Sequence, residues 1–133
     1  MKEPHIVPLS RQALEVLAEL RTLNGSYALV FPGAKPPQPI SENTVLYALY
    51  RMGYHSRATG HGFRATASTV LNELGHPPDV IERQLAHAPR NKIRAAYNRA
   101  QYLPERRKLM QAWADYLDGL KQGAEIIPIR KST

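Results

Sequence analysis

The spacing of apolar and polar residues predicts a chain built mainly of helices. Apolar residues recur at intervals of three and four, the spacing of one helical face, in six segments: 10–23, 41–52, 61–74, 79–87, 91–99 and 104–120. Ser10 and Ser41 are the expected N-caps of the first two segments. Gly53 and Gly75 follow the second and third segments and are the expected helix stops.

Two short apolar segments predict a small β element near the start of the chain. Residues 6–7 (Ile-Val) precede Pro8, and residues 27–31 are closed by Pro32. The proline-rich stretch that follows predicts a surface loop, because proline lacks a backbone donor and restricts the residue before it. With 133 residues, of which 43% are apolar, the chain is long enough for one modest core. The expected fold class is therefore mainly α with a small N-terminal β element.

The positive charge of the chain is concentrated in one stretch. The sequence has 18 Lys and Arg against 11 Asp and Glu, a formal net charge of +7. Between Arg83 and Lys108 there are eight basic residues and one acid, so the remainder of the chain is close to neutral. Such a basic block attracts a polyanion such as a nucleic-acid backbone, and a solvated cationic face is the alternative. The residues expected to bind nucleic acid are Arg83, Arg90, Lys92, Arg94 and Arg99.

Composition excludes several classes of protein. The chain has no cysteine, which rules out disulfides and thiolate metal sites. No apolar run approaches the roughly 18–20 residues that span a bilayer, and the first residues lack the apolar stretch of a signal peptide. We expect a soluble cytoplasmic protein with no membrane contact. The acidic residues are scattered, with no visible carboxylate cluster to hold Mg²⁺, which agrees with the expectation of no metal ion and no cofactor.

Three local groups contain residues that are suited to chemistry. They are His61-Gly62-Phe63-Arg64, Leu85-Ala86-His87 and Ala96-Tyr97-Asn98-Arg99. Each group alone has an ordinary structural explanation. A His and an Arg one turn apart occur on many helix surfaces, a histidine suits a helix C-terminus, and a helical tyrosine is commonly a packing residue.

Their order and spacing closely resemble the C-terminal part of the tyrosine recombinase/phage integrase family. That family has His-x-x-Arg, then Leu-x-His about 26 residues after the first His, then a nucleophilic tyrosine about ten residues later, and His61, His87 and Tyr97 match each step. The flanking text resembles the prophage-integrase branch: TGHGFRATAST at 59–69, ERQLAH at 82–87 and RAAYNRA at 94–100. The resemblance extends from about Pro4 to Leu117.

The resemblance implies that Tyr97, Arg64, His61 and His87 are catalytic, and the reaction explains why these residue types occur together. Attack on a phosphodiester builds negative charge on two non-bridging oxygens, which the planar guanidinium of Arg64 suits. A free tyrosine has a pKa near 10, so only about a thousandth is phenolate at pH 7 and the phenol needs help with its proton. Imidazoles titrate near neutrality, so His61 and His87 are suited to accept that proton or to bind the phosphate.

The resemblance also implies parts for which this sequence has no counterpart. The family has a first catalytic arginine upstream of the matching segment and an N-terminal core-binding domain. Its catalytic lysine falls near Lys2, for which an ordinary exposed lysine is the alternative. We therefore expect a tyrosine recombinase catalytic fold truncated at its N-terminus, with a partial catalytic domain over 1–121 and a tail over 122–133. We also expect that this chain cannot complete DNA cleavage unaided.

The expected activity is site-specific DNA recombination, or integration, through a 3′-phosphotyrosyl intermediate. The expected partners are double-stranded DNA and, for the full-length protein, a homo-tetramer on DNA in which C-terminal tails are exchanged between subunits. Ile126, Ile127 and Ile129 are the apolar anchors for such a contact, and a disordered terminus is the alternative. Two other hypotheses remain. One is a noncatalytic DNA-binding remnant of an integrase. The other is a metal nuclease or zinc module that uses the five histidines, although these show no ligand spacing such as His-x-x-x-His.

Overall fold

Residues 4–87 and 101–123 are described by the computed structural model of the chain. Five helices lie in these residues: α1 (Arg11–Asn24), α2 (Thr44–Arg51), α3 (Gly60–Glu73), α4 (Pro78–Gln84) and α5 (Leu103–Lys121). Contacts divide the chain into two units. Unit 1 comprises Met1–Arg11 and Thr66–Thr133, and unit 2 comprises Gln12–Ala65.

The prediction of a mainly helical chain is confirmed. Each of the five helices lies within three residues of a predicted helix at both ends, and the helix predicted over 91–99 lies outside the described residues. The largest differences, of three residues, are at the end of α4 and at the start of α2, where the N-cap is Asn43 rather than Ser41. The carbonyl of Ser41 accepts a hydrogen bond from the Thr44 N–H at 3.0 Å, which makes residues 41–44 a turn before the helix.

The prediction of a small N-terminal β element is wrong for the part of the chain that the structure describes. The β pairing found there is an isolated antiparallel bridge between Pro32 and Pro39. Proline has no N–H to donate, so a ladder cannot extend through this pair. The first apolar segment forms no strand either, and the carbonyl of Ile6 accepts a hydrogen bond from the side chain of Arg106 instead.

Three helices end in the same backbone motif. The residue after the last turn has a positive φ in α2 (Gly53, 86°), α3 (Gly75, 82°) and α4 (Ala86, 50°). In each helix the N–H of this residue bonds to the carbonyl three residues earlier, and the next N–H bonds to the carbonyl five residues before it. This is the Schellman arrangement, which satisfies the last carbonyls of a helix. In α4 alone of these three the left-handed position is occupied by an alanine rather than a glycine.

The apolar core of unit 1 lies where α4 packs against α5. Leu71, Val80, Ile81 and Leu109 are buried together, and three half-buried side chains pack around them: Leu85, Tyr102 and Trp113. A fully buried aliphatic side chain contributes about 1.5–3 kcal/mol. Among the described residues four such side chains form this core, and polar contacts inside the unit add to its stability.

The main polar contact of unit 1 is made by Arg106, whose side chain is fully buried. Its Nε donates to Oε1 of Gln84 at 2.8 Å, its Nη1 donates to the carbonyl of Gln101 at 3.2 Å, and its Nη2 donates to the carbonyl of Ile6. The ring of His5 lies beside the same group, with Nε2 3.2 Å from the carbonyl oxygen of Gln84. One guanidinium therefore joins three chain segments that are far apart in sequence.

The partners of Arg106 in the described part of the chain are uncharged. Burial, and then the positive charge of Arg83, lowers the pKa of the Arg106 guanidinium from its ordinary value. An arginine pKa is so far above 7 that the group stays charged in a folded protein. The charge is tolerated because carbonyl and amide oxygens replace the lost water.

Unit 2, all of whose residues are described, buries little apolar surface. Leu49 of α2 is its one buried hydrophobic residue, whereas Val45 of the same helix is 53% exposed. The side-chain amide of Asn24 donates to the carbonyl of Val30, which ties the end of α1 to the loop after it. No helix among the described residues is long and apolar enough to cross a bilayer.

Replacing Arg106 tests the importance of the buried guanidinium. Arg106→Ala leaves three oxygen acceptors without their donor, so we expect the free energy of unfolding to fall by about 3 kcal/mol. Arg106→Lys should recover only a small part, because an ammonium does not reproduce the fork of donors. Urea denaturation measures the change. Arg107→Ala is the matched control at an exposed neighbouring position and should change stability by less than about 0.5 kcal/mol. Equal effects of the two alanine variants would contradict the prediction.

The alanine at the end of α4 gives a second test. Ala86→Gly should raise the free energy of unfolding by roughly 0.5–1 kcal/mol, because glycine adopts a positive φ without a Cβ penalty. Gly75→Ala at the equivalent position of α3 should lower it by about 1 kcal/mol, since a Cβ there meets open space and only the backbone conformation opposes it. Thermal unfolding of both variants shows whether the two changes in stability have opposite signs. A destabilising Ala86→Gly would show that the φ of Ala86 is not strained.

Candidate active site

His61 and Arg64 lie in the first two turns of α3. Thr59 precedes the helix, and its hydroxyl accepts a hydrogen bond from the N–H of Gly62 at 3.0 Å, which is the contact of an N-cap. The carbonyl of Thr59 accepts the first helical bond, from Phe63 at 3.2 Å. The cap therefore fixes where the helix begins and places His61 in its first turn.

The two side chains share one face of α3, because residues three apart on a helix are neighbours. His61 is exposed and Arg64 is half-buried. The amino end of a helix presents unpaired N–H groups and a partial positive charge, which favour an anion such as phosphate. A guanidinium, an imidazole and a helix N-terminus are thus combined at this end of unit 2.

His87 follows α4 and is positioned by the Schellman motif of that helix. Its N–H donates to the carbonyl of Glu82 at 3.0 Å, and its ring Nδ1 lies 2.9 Å from the carboxylate Oε2 of the same residue. His87 and Glu82 are both partly exposed, at 35% and 44% of their side-chain surfaces. Sequence analysis did not identify Glu82. The sequence feature that could have identified Glu82 is an acidic residue five positions before a histidine at a helix end.

The structure describes some of the expected site residues and not others. His61 and Arg64 lie together in unit 2, and His87 lies in unit 1. Tyr97 and Lys2 lie outside the described residues, and so do four of the expected DNA-binding residues: Arg90, Lys92, Arg94 and Arg99.

Arg83 and Arg106 show how the basic block is divided. Arg83 is half-buried in the last turn of α4, and its Nε donates to the side chain of Gln101 at 3.3 Å. Arg106 was counted in the same block, but its side chain is fully buried. A buried guanidinium cannot reach a phosphate, so part of the expected cationic surface serves the interior of unit 1.

Two of the other described histidines, His5 and His55, contact different residues. His5 lies beside Gln84 and Arg106, and His55 packs on the ring of Tyr50 with a centroid distance of 4.3 Å. Residues 4–87 and 101–123 contain no group of three or more histidines, aspartates or glutamates that could hold a metal ion.

The sequence matches known proteins over almost its whole length. It is 52% identical over 123 residues to the prophage integrase IntZ of Escherichia coli K12, which covers 92% of this chain and 30% of that protein. It is 51% identical over 123 residues to the integrase of Enterobacteria phage P4, covering 89% of this chain and 28% of that protein. It is 45% identical over 128 residues to the prophage integrase IntA of E. coli K12, which covers 96% of this chain and 31% of that protein.

The chain therefore spans about 30% of the length of these relatives. No solved structure matches it. The model of the phage integrase family matches residues 1–103, which is more than half of the chain and includes all three groups of candidate residues. This chain belongs to the tyrosine recombinase/phage integrase family.

Proposed function

We propose that this chain is the part of a tyrosine-type site-specific DNA recombinase that supplies its nucleophile, Tyr97. The observation that carries the proposal is the pairing of His61 and Arg64 at the capped amino end of α3. A planar cation and an acid–base group are presented there on one helix face, together with N–H groups that favour an anion. The order and spacing of His87 and Tyr97 after this pair match the pattern of the family, and this match supports the proposal.

The proposed reaction exchanges one phosphodiester for another. The phenol oxygen of Tyr97 attacks the phosphorus, the bond from phosphorus to the 5′ oxygen breaks, and a 3′-phosphotyrosyl link remains. The phenol proton passes to a base, for which His61 and His87 are the candidates, and the departing 5′ oxygen takes up a proton. A 5′-hydroxyl from another DNA end then reverses the step. The link preserves the ester energy, so rejoining consumes no nucleotide.

Arg64 is proposed to bind the phosphate that reacts. Two parallel N–H donors match two non-bridging oxygens, and this contact strengthens as negative charge develops on them. Lys2 is kept as the proposed catalytic lysine. Arg83, Arg90, Lys92, Arg94 and Arg99 are the proposed contacts to the DNA backbone, which neutralise phosphates without reading the sequence.

The wider assembly is part of the same proposal. Double-stranded DNA is the substrate, and the complete recombinase acts as a homo-tetramer in the cytoplasm, with residues 122–133 as a tail exchanged between subunits. Residues 1–121 are then a partial catalytic domain that lacks the first catalytic arginine. A noncatalytic DNA-binding remnant is the second candidate, and the concentration of positive charge between Arg83 and Lys108 favours it as much as it favours the enzyme.

Covalent complex formation with DNA tests the proposal. We expect the 133-residue chain alone to form no covalent complex with a nicked suicide substrate, because losing one phosphate-binding arginine removes several kcal/mol of transition-state stabilisation, about 3 kcal/mol by analogy with an oxyanion donor. A chimaera in which this chain replaces the matched 30% of prophage integrase IntZ should form the complex.

Tyr97→Phe in that chimaera should abolish the covalent band, whereas Tyr47→Phe, at an exposed tyrosine of α2, should leave it intact. A chimaera that folds and binds its DNA but forms no covalent complex would favour the noncatalytic remnant. A covalent complex of the isolated chain that requires Tyr97 would show that the chain is catalytically complete.

Salt dependence tests DNA binding by the chain itself. We expect weak binding whose logarithm falls by about 0.9 per logarithmic unit of salt for each phosphate neutralised. Replacing Arg90, Lys92 and Arg94 by glutamine should reduce this slope, as measured by fluorescence anisotropy on duplex DNA. Glutamine at Arg21, Lys35 and Arg51, three exposed cations of unit 2, makes the same charge change and should leave the slope unaltered. The same loss of slope in both triple variants would contradict an assignment of DNA binding to the basic block.

A further inference from the structure

Glu82 has no role in the reaction described so far, yet it contacts one of the proposed acid–base groups. Its carboxylate Oε2 lies 2.9 Å from Nδ1 of His87. An ionised carboxylate can only accept a hydrogen bond, so Nδ1 must be the donor and must hold a proton. In the neutral ring the lone pair is then on Nε2, and proton exchange with a substrate or with Tyr97 is assigned to that nitrogen.

We propose that Glu82 is a positioning residue of the DNA-cleavage reaction, which holds the ring of His87 in the Nδ1–H tautomer so that Nε2 exchanges the proton. The inference rests on the proposed function, because it gives His87 an acid–base role. Carboxylates that orient a metal-binding histidine in this way fix both its tautomer and its ring plane, and their loss typically lowers metal affinity or activity about 10-fold or more, so we expect an effect of that order for His87.

The backbone of α4 makes this contact a property of the fold. The Schellman motif bonds the N–H of His87 to the carbonyl of Glu82, so the two residues are already joined through the main chain. The left-handed conformation of Ala86 is what turns the chain back over the last turn of the helix. The side-chain contact adds a second bond between the same two residues and requires no other element.

The end of α3 provides an internal comparison. His76 occupies the position there that His87 occupies after α4, and its N–H bonds to the carbonyl of Leu71. The residue whose carbonyl accepts the hydrogen bond from this histidine is therefore a leucine rather than a glutamate. The same backbone motif thus occurs with and without a carboxylate, and the tautomer of His76 is a reference for that of His87.

A purely structural role is the alternative for this pair. A partly exposed ion pair at a helix end adds little stability, and a positive charge is favoured there by the helix dipole alone. Such a role would have no effect on the rate of cleavage. The ring tautomer therefore tests whether Glu82 holds His87 in one form, and the cleavage rate separates the positioning role from a structural one.

The tautomer is measured on the 133-residue chain by the ¹⁵N chemical shifts of the imidazole nitrogens, at a pH where the rings are neutral. We expect His87 to be mainly the Nδ1–H form. Glu82→Ala should convert it to a mixture in which Nε2–H predominates, and Glu82→Gln should lie between the two because the amide oxygen still accepts a hydrogen bond. Glu73→Ala, an exposed acid at the end of α3, makes the same charge change and should leave His87 unaltered.

The rate is measured on the IntZ chimaera as covalent complex formation with a nicked substrate. Glu82→Ala should reduce the rate about 10-fold with DNA affinity unchanged, and Glu82→Gln should restore part of it. Glu73→Ala should have no effect. The expected order is therefore wild type, then Glu82→Gln, then Glu82→Ala, in both measurements.

Two results would overturn the inference. One is a His87 tautomer that does not respond to Glu82→Ala, and the other is a normal cleavage rate in a Glu82→Ala chimaera whose tautomer has changed. Failure of the proposed function gives a different result, since the chimaera would then form no Tyr97-dependent complex although the tautomer measurement on the isolated chain still follows Glu82.

Discussion

Unit 1 depends on the contacts of one buried guanidinium. Arg106 donates to Ile6, Gln84 and Gln101, which belong to three segments of the chain, and Ile6 is 100 residues away from Arg106 in sequence. Within residues 4–87 and 101–123 the apolar core of this unit consists of four buried side chains, and the guanidinium adds polar contacts to it. A charged group that is removed from water needs all of its hydrogen-bond acceptors in place together. The segments that carry these acceptors are therefore coupled to one another.

The same contacts define the surroundings of the proposed chemistry. Gln84 ends α4, three residues before His87, and Gln101 lies two residues before α5. Both residues therefore have fixed positions relative to one guanidinium. The proposed nucleophile, Tyr97, lies between them in the sequence, although outside the described residues. The buried cation therefore contacts chain segments that lie next to His87 and to the proposed nucleophile in the sequence.

Helix ends position the candidate residues. The N-cap Thr59 sets the first turn of α3 and with it His61 and Arg64, while the Schellman motif of α4 sets His87 over Glu82. The alanine in this motif adopts a conformation that glycine adopts more easily. Backbone strain of this kind is found at functional positions, where a particular placement of a side chain outweighs a small loss of stability.

The sequence by itself determined the five helices and the family, because helical periodicity, caps and stop residues act over a few neighbouring positions and the motifs have fixed spacing. It also determined that His61 and Arg64 share a helix face. Tertiary structure decided the rest. Residues 6–7 form no strand because a strand needs a partner, and Arg106 is interior rather than part of the cationic surface because distant oxygens surround it. The contact between Glu82 and His87 depends on the left-handed conformation of Ala86, which returns the chain over α4 and which no local propensity of alanine favours.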